Sequence, residues 1–252
     1  SLTISPHAGD AQEAMTPEAF ALTATTRTKL AYVLTGIDEI DVVSRMGLRG
    51  LSDVIRRRTA AELGPPMPVD PARDELAFFP LLYWPVDDRQ DILSPDTVRR
   101  LNRYLRNGGT IVFDSRDQQS TNSPVRVNAL RRLANGLSIP PLVPVPPNHA
   151  LTKAFYLMQD FPGRWSRGRV WVEASENGSN DGVSRVIVGV HDWAGAWSVD
   201  DHGRNMFPVV PGGEKQREMA YRFGVNLVMY VLTGNYKTDQ VHVPSILERL
   251  GQ

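Results

Sequence analysis

Short continuous apolar runs alternate along this chain with longer stretches in which apolar residues return every three or four positions. The clearest run is Gly108-Gly109-Thr110-Ile111-Val112-Phe113-Asp114-Ser115-Arg116-Asp117. Paired glycines close a helix there, β-branched and aromatic residues follow, and the apolar character stops at a cluster of charge. A strand covered on both faces reads as an unbroken run, so this segment predicts an interior strand of an α/β sheet. Residues 29–36 predict the first core strand, and Glu75 to Pro85 another, placed mostly at 81–84 because Pro80 cannot donate to a ladder. A short strand fits 67–69. Residues 169–174 and 184–190 predict two more, separated by a Gly, Asn, Ser and Asp turn at 176–182.

Helical spacing fills the intervals. From Val42 to Leu63, the residues Val43, Met46, Leu48, Leu51, Val54 and Ile55 share one side, with Arg56-Arg57-Arg58 as a solvated end. Ser94 suits an N-cap, Pro95 the first helical position and Asp96 the positive end of the dipole. Val98, Leu101 and Leu105 form the buried stripe of that helix, and Asn107-Gly108 ends it. Another helix is predicted over 125–136. Residues 214–232 predict the longest, apolar over much of its surface and therefore packed deep, and 245–250 a short final one. The proline-rich 139–147 reads as extended, along the surface or a sheet edge. Residues 151–158 stay open between strand and helix. Residues 1–28 read as a linker or lead-in, and 29–252 as a single domain.

This order predicts a mostly parallel sheet with helices on both faces, in which ligands collect beyond the carboxyl ends of the strands. Composition narrows the chemistry. Lysine plus arginine and aspartate plus glutamate are 28 each in 252 residues, which disfavours a nucleic-acid partner. The longest apolar stretch, from Leu76 to Val86, is far below the ~20 residues that span a bilayer, so no direct membrane insertion is expected of this piece. There is no cysteine, which excludes a thiol nucleophile, a thiolate metal site and disulfides. The chain begins at Ser1 without a signal peptide, so a fragment of something longer is expected, with room for an anchor in the missing part.

Four phrases, 30–36, 75–86, 107–117 and 221–236, resemble a bacterial family of domains of unknown function, numbered 4159. The resemblance covers nearly everything after residue 28. It implies a flavodoxin-like fold of the class I glutamine amidotransferase type. It also implies a place as the C-terminal module of large envelope proteins whose N-terminal part resembles BatA, so that the partners expected are other envelope proteins or other domains of the same chain. True amidotransferases pair a cysteine at a nucleophile elbow with a histidine. With no cysteine and no G-x-S-x-G elbow in its place, glutaminase activity is not expected.

Candidate site residues follow from position at inferred strand ends. Asp114, Ser115, Arg116 and Asp117 could bind a polar ligand, Arg116 as an anion clamp and Asp114 as base or metal ligand; the bland alternative is a capped turn with a surface ion pair. His191, Asp192 and Trp193, with Trp197, form a second group, for proton transfer or stacking on a sugar, against the alternative of core anchors. Tyr83 and Trp84, and Asp38 with Asp41, could line the same mouth. A metal set of His149, His191, Asp192 and His202 lacks any close spacing motif, and neither metal nor cofactor is expected. Gly212-Gly213 before the long helix reads as a turn. The residues thus support a non-catalytic binding or assembly module, with a hydrolase or carbohydrate-active enzyme using Asp114, His191 and Asp192 as the alternative.

Overall fold

The computed structural model describes residues 15–117, 124–175 and 182–250; the side chains of 124–127 and 235–250 lie outside that description. Most of the turn expected at 176–182 falls outside it as well. The elements run α1 (Pro17–Thr26), β1 (Ala31–Val33), α2 (Asp38–Arg58), β2 (Met67–Val69), β3 (Leu81–Pro85), α3 (Pro95–Arg106), β4 (Thr110–Asp114), α4 (Pro124–Ala134), β5 (Leu142–Pro144), β6 (Trp171–Glu173), β7 (Val186–Gly189), α5 (Trp193–Trp197) and α6 (Gly213–Leu250). They build one seven-stranded sheet of order β2-β1-β3-β4-β7-β6-β5. The first five neighbours are parallel, while β6 and β5 add an antiparallel edge.

Period two within the apolar runs sorts side chains to two cores. Leu81, Tyr83, Val112 and Ile187 point to the face covered by α2, α5 and α6. Leu82, Trp84, Ile111 and Phe113 point to the face that carries α1, α3 and α4. Each large side chain so buried stabilises the fold by roughly 1.5–3 kcal/mol. Both faces being apolar is why β3 and β4 read as continuous runs.

Caps set the helix that delivers the chain to β4. Ser94 Oγ accepts from the Thr97 N–H at 3.1 Å, and Gly108 takes φ +95°, the left-handed turn that glycine tolerates. The prolines at 140, 141, 144, 146 and 147 leave β5 as a short edge, where missing donors do no harm.

Three expectations change. Residues 17–26, read as part of a linker or lead-in, form α1, because Phe20 packs on Phe78 and Phe79 and Ala24 is buried in the same core. The long helix and the short final one are a single backbone helix, α6. Arg58 is not a solvated end: its guanidinium forks onto Glu218 of α6 at 2.9 and 2.8 Å and ties α2 to α6. The open segment 151–158 forms neither a strand nor an α-helix; it carries one turn of 3-10 helix at Ala150–Thr152.

Candidate functional site

β4 ends at Asp114, and the carboxyl group is wholly buried. Four donors converge on its two oxygens. Oδ2 accepts from the Tyr83 hydroxyl at 2.7 Å and from the Trp193 N–H at 2.8 Å. Oδ1 accepts from the Asp192 N–H and the Arg116 N–H, both at 3.1 Å. Asp114 is thus the post on which the start of α5 is hung, and no face of it meets solvent. Burial, with the neighbouring Asp114 and Asp192, pushes the Tyr83 hydroxyl well above its ordinary pKa and keeps it a donor. Tyr83→Phe is expected to cost about 1.5–3 kcal/mol in urea denaturation, the value of a hydrogen bond to a charged group; a change under a few tenths would deny the bond its role.

Beyond β4 the chain turns sharply: Arg116 sits at φ +59°, and Ser115 donates its N–H to the Gly189 carbonyl at 3.0 Å. The Arg116 guanidinium reaches back to the Val86 carbonyl and to Asp87 Oδ2, both at 3.0 Å. Arg89 continues the ladder, gripping Asp87 at 2.8 Å and Glu39 of α2 at 3.0 Å. Burial opposes the ionised form of Asp87, but the hydrogen bonds from Arg89 and the charge of Arg116 win, holding it below the usual carboxylate range. This ladder crosses from the β3 end to α2, at the point where strand order reverses between β1 and β3.

β7 ends at Gly189, so His191 and Asp192 both lie past the strand and diverge. The His191 ring is buried, stacks on Trp193 at 5.2 Å, and burial lowers its pKa despite the pull of Asp114. Asp192 takes φ +53°, ψ +59° and caps α5 through the Gly195 N–H at 3.3 Å. Its Oδ2 faces Arg164 Nη1 at 3.4 Å. Burial first, and the neighbouring Asp114 second, push its carboxyl up to about 6. The segment 161–165 packs over this turn: Arg164 and Trp165 donate their backbone N–H to the carbonyls of Asp192 and His191, and the Trp165 indole donates to the Arg116 carbonyl at 3.3 Å.

A pH dependence follows from Asp192. Its folded pKa lies above the ordinary 3.8, so the fold binds a proton that the unfolded chain releases between about pH 4 and 6. Stability contributed by this group therefore falls as pH rises through that window and stays low above it. Asparagine keeps the cap and tolerates the left-handed backbone. Asp192→Asn is expected to be stabilised relative to wild type by about 1–3 kcal/mol at pH 8, with the gap shrinking to about a third of that by pH 4.5. Parallel urea titrations at the two pH values check this, and a gap that does not change with pH would refute it.

The structure thus gathers Tyr83, Asp114, Ser115, Arg116, Asp192 and the Trp193 backbone, with Asp117 half-buried next in the chain. It separates the rest. Trp84 packs on Phe113 in the opposite core, and Trp193 and Trp197 are fully buried with indoles bound to the carbonyls of Phe161 and Ala220. Asp41 braces the loop after β1 through Thr35, while Asp38 is exposed. His149 is a buried turn cap and His202 is exposed; among the described residues no three His, Asp or Glu side chains group to hold a metal. Gly212 is tied by its N–H to Gln216. Sequence reasoning missed Asp87, Arg89 and Arg164, since ion pairs between distant loops leave no local pattern. A separate cleft of about 350 Å³ lies between α2, the 199–205 loop and the start of α6, lined by Arg57, Arg58, Asn205, Glu218 and Tyr221 among others.

Fold and rim together define a two-faced α/β protein whose polar strand ends are knitted to one another by ion pairs and a buried carboxyl. No described helix is long and apolar enough to cross a membrane. Residues 29–232 match the model of a domain of unknown function, DUF4159, and the chain belongs to that family. No curated protein matches the chain.

Proposed function

We propose that the chain is a non-catalytic binding or assembly module, of flavodoxin-like, glutamine amidotransferase-like fold, in a membrane-anchored protein of the bacterial cell envelope. The parallel strand order β2-β1-β3-β4-β7 supports the fold assignment, being the doubly wound order of flavodoxin-like sheets. The observation that carries the functional reading is the commitment of Asp114: with four donors on two oxygens and no exposure, it serves the architecture and touches no substrate. The resemblance to modules of BatA-like proteins supplies the envelope setting, and other envelope proteins or domains of the same chain as partners.

One observation favours a second reading, a hydrolase or carbohydrate-active enzyme. Asp192 combines a left-handed backbone at a strand-to-helix turn with a carboxyl raised to about 6, a combination found at catalytic acids and bases. The two helpers that reading requires count against it: Asp114 and His191 are both enclosed. Incubation of the chain with glutamine, p-nitrophenyl acetate and p-nitrophenyl glycosides is expected to give no turnover above a blank. Turnover that disappears in Asp192→Asn would replace the module by the enzyme. The anchorage is tested by fractionating cells that make the native full-length protein, which is expected in membranes and released by detergent; recovery in the soluble fraction would overturn it.

A further inference from the structure

Arg164 is held in an unusual way for a rim arginine. Its backbone N–H donates to the Asp192 carbonyl at 3.3 Å, and its carbonyl accepts from the Val210 N–H at 2.9 Å and the Gln216 amide at 3.1 Å. Its guanidinium lies 4.4 Å from the Trp165 ring and 4.6 Å from the Phe207 ring, and Nε donates to the Pro208 carbonyl at 3.3 Å. The cation is therefore fixed in place before any ligand arrives. Its only carboxylate partner among the described residues, Asp192, stands at 3.4 Å, longer than the 2.7–2.9 Å of a strong charge-assisted bond. Nη2 has no hydrogen-bond partner among those residues. Gly195 permits even this approach, since a Cβ there would lie 2.5 Å from Asp192 Oδ2 and 2.7 Å from Arg164 Cδ.

We propose that Arg164 is the anchor of an oxyanion-binding site, for a carboxylate or phosphate-type group of a ligand, and that Asp192 is an internal stand-in which the ligand's anion displaces. This deepens the reading of the chain as a binding module and rests on it. The geometry distinguishes Arg164 from the other rim cations. Arg116 and Arg89 are engaged by Asp87 at 3.0 and 2.8 Å, whereas Arg164 has a long, poorly matched pair on a preorganised guanidinium.

The site carries its own pH response. The charged and titratable groups facing Asp192 are Asp114 and Arg116 at the end of β4, Tyr83 from β3, and Arg164 from the covering segment, while the neighbouring His191 ring turns away into the core. Burial and Asp114 hold the Asp192 carboxyl at about 6. Above that pH its charge competes for Arg164; below it the competitor is neutral, so a ligand of constant charge binds more tightly as pH falls from 8 to 5.

Sulfate, dianionic throughout that range, and acetate at pH 6 to 8 are the probes, titrated at constant ionic strength into the whole chain while the Trp165 indole resonance is followed by NMR. Saturable shifts with sulfate alone point to a tetrahedral phosphate-type ligand, and with acetate to a carboxylate; either supports the site. Asp192→Asn is expected to tighten binding at least threefold at pH 8 and to flatten its pH dependence. Arg164→Gln is expected to abolish saturation, with retained amide dispersion showing that the variant folds, and Arg164→Lys to recover part of it. Non-saturating shifts for both probes, or equal binding by Arg164→Gln, would overturn the proposal while leaving the module reading intact. Turnover of the substrates named above would overturn the module reading without removing an anion site.

Discussion

Asp114→Ala is expected to lower the free energy of unfolding by about 3–5 kcal/mol, the scale set by breaking a buried charged network from one side. Truncation removes the acceptor of four donors at once: the Tyr83 hydroxyl and the N–H groups of Arg116, Asp192 and Trp193. Each orphaned buried donor costs about 1–3 kcal/mol, discounted where water can enter the space left behind. Asp114→Asn should fall lower on the same scale, because its amide oxygen still accepts two of the four donors while its NH2 group faces the other two. Urea denaturation of both variants beside Tyr83→Phe measures the series. If alanine at 114 cost less than about 1 kcal/mol, the carboxyl would not be what positions α5, and the reason for calling it architectural would go with it.

The position of Asp114 was legible in the sequence; its role was not. An apolar run ending in charge marks a two-sided strand and its carboxyl end, because every inward position must be apolar when both faces are covered. Ser94, Pro95 and Asp96 likewise act within one turn, so their pattern is local and readable. What closes the rim is not local. Asp114 draws donors from β3 and α5, Arg116 finds Asp87 across 29 positions, and Arg164 meets Asp192 across 28. Such pairings depend on strand order, which the helical and strand periods do not encode. His191 and Asp192 illustrate the same limit: adjacent residues on a strand face opposite ways, but β7 has already ended, so one ring enters the core and one carboxyl turns to the covering segment. Helix α1 escaped notice for a different reason, since only Phe20 and Ala24 are buried and two contacts make no period.

Gly50→Val is expected to cost at least about 3 kcal/mol, the upper end of the usual overpacking range. A Cβ at Gly50 would lie 2.1 Å from the Trp197 carbonyl oxygen, and one at Gly47 would lie 2.4 Å from that of Ala194, so α2 meets the backbone of α5 along a stripe with no side chains in between. Neither obstacle can swing aside as a flexible side chain would. The Trp197 carbonyl already accepts from the Tyr221 hydroxyl at 3.0 Å, and the Trp197 indole is bound to Ala220 at 2.8 Å, so α5 is clamped to α6 from behind. Its front end hangs on Asp114 through Trp193. Relief of the clash must therefore move α2 outward or pull α5 off that post, and either loses buried contacts. Gly47→Ala should show the same effect at smaller size. Gly182→Ala is the control, since a Cβ there meets nothing within 4 Å among the described residues and its φ is not left-handed. Unfolding free energies for the three variants decide the matter: a loss below about 1 kcal/mol at Gly50, or losses at Gly47 and Gly182 of equal size, would mean that α2 and α5 can part without cost, and that the strand-end carboxyl is held by something other than this contact.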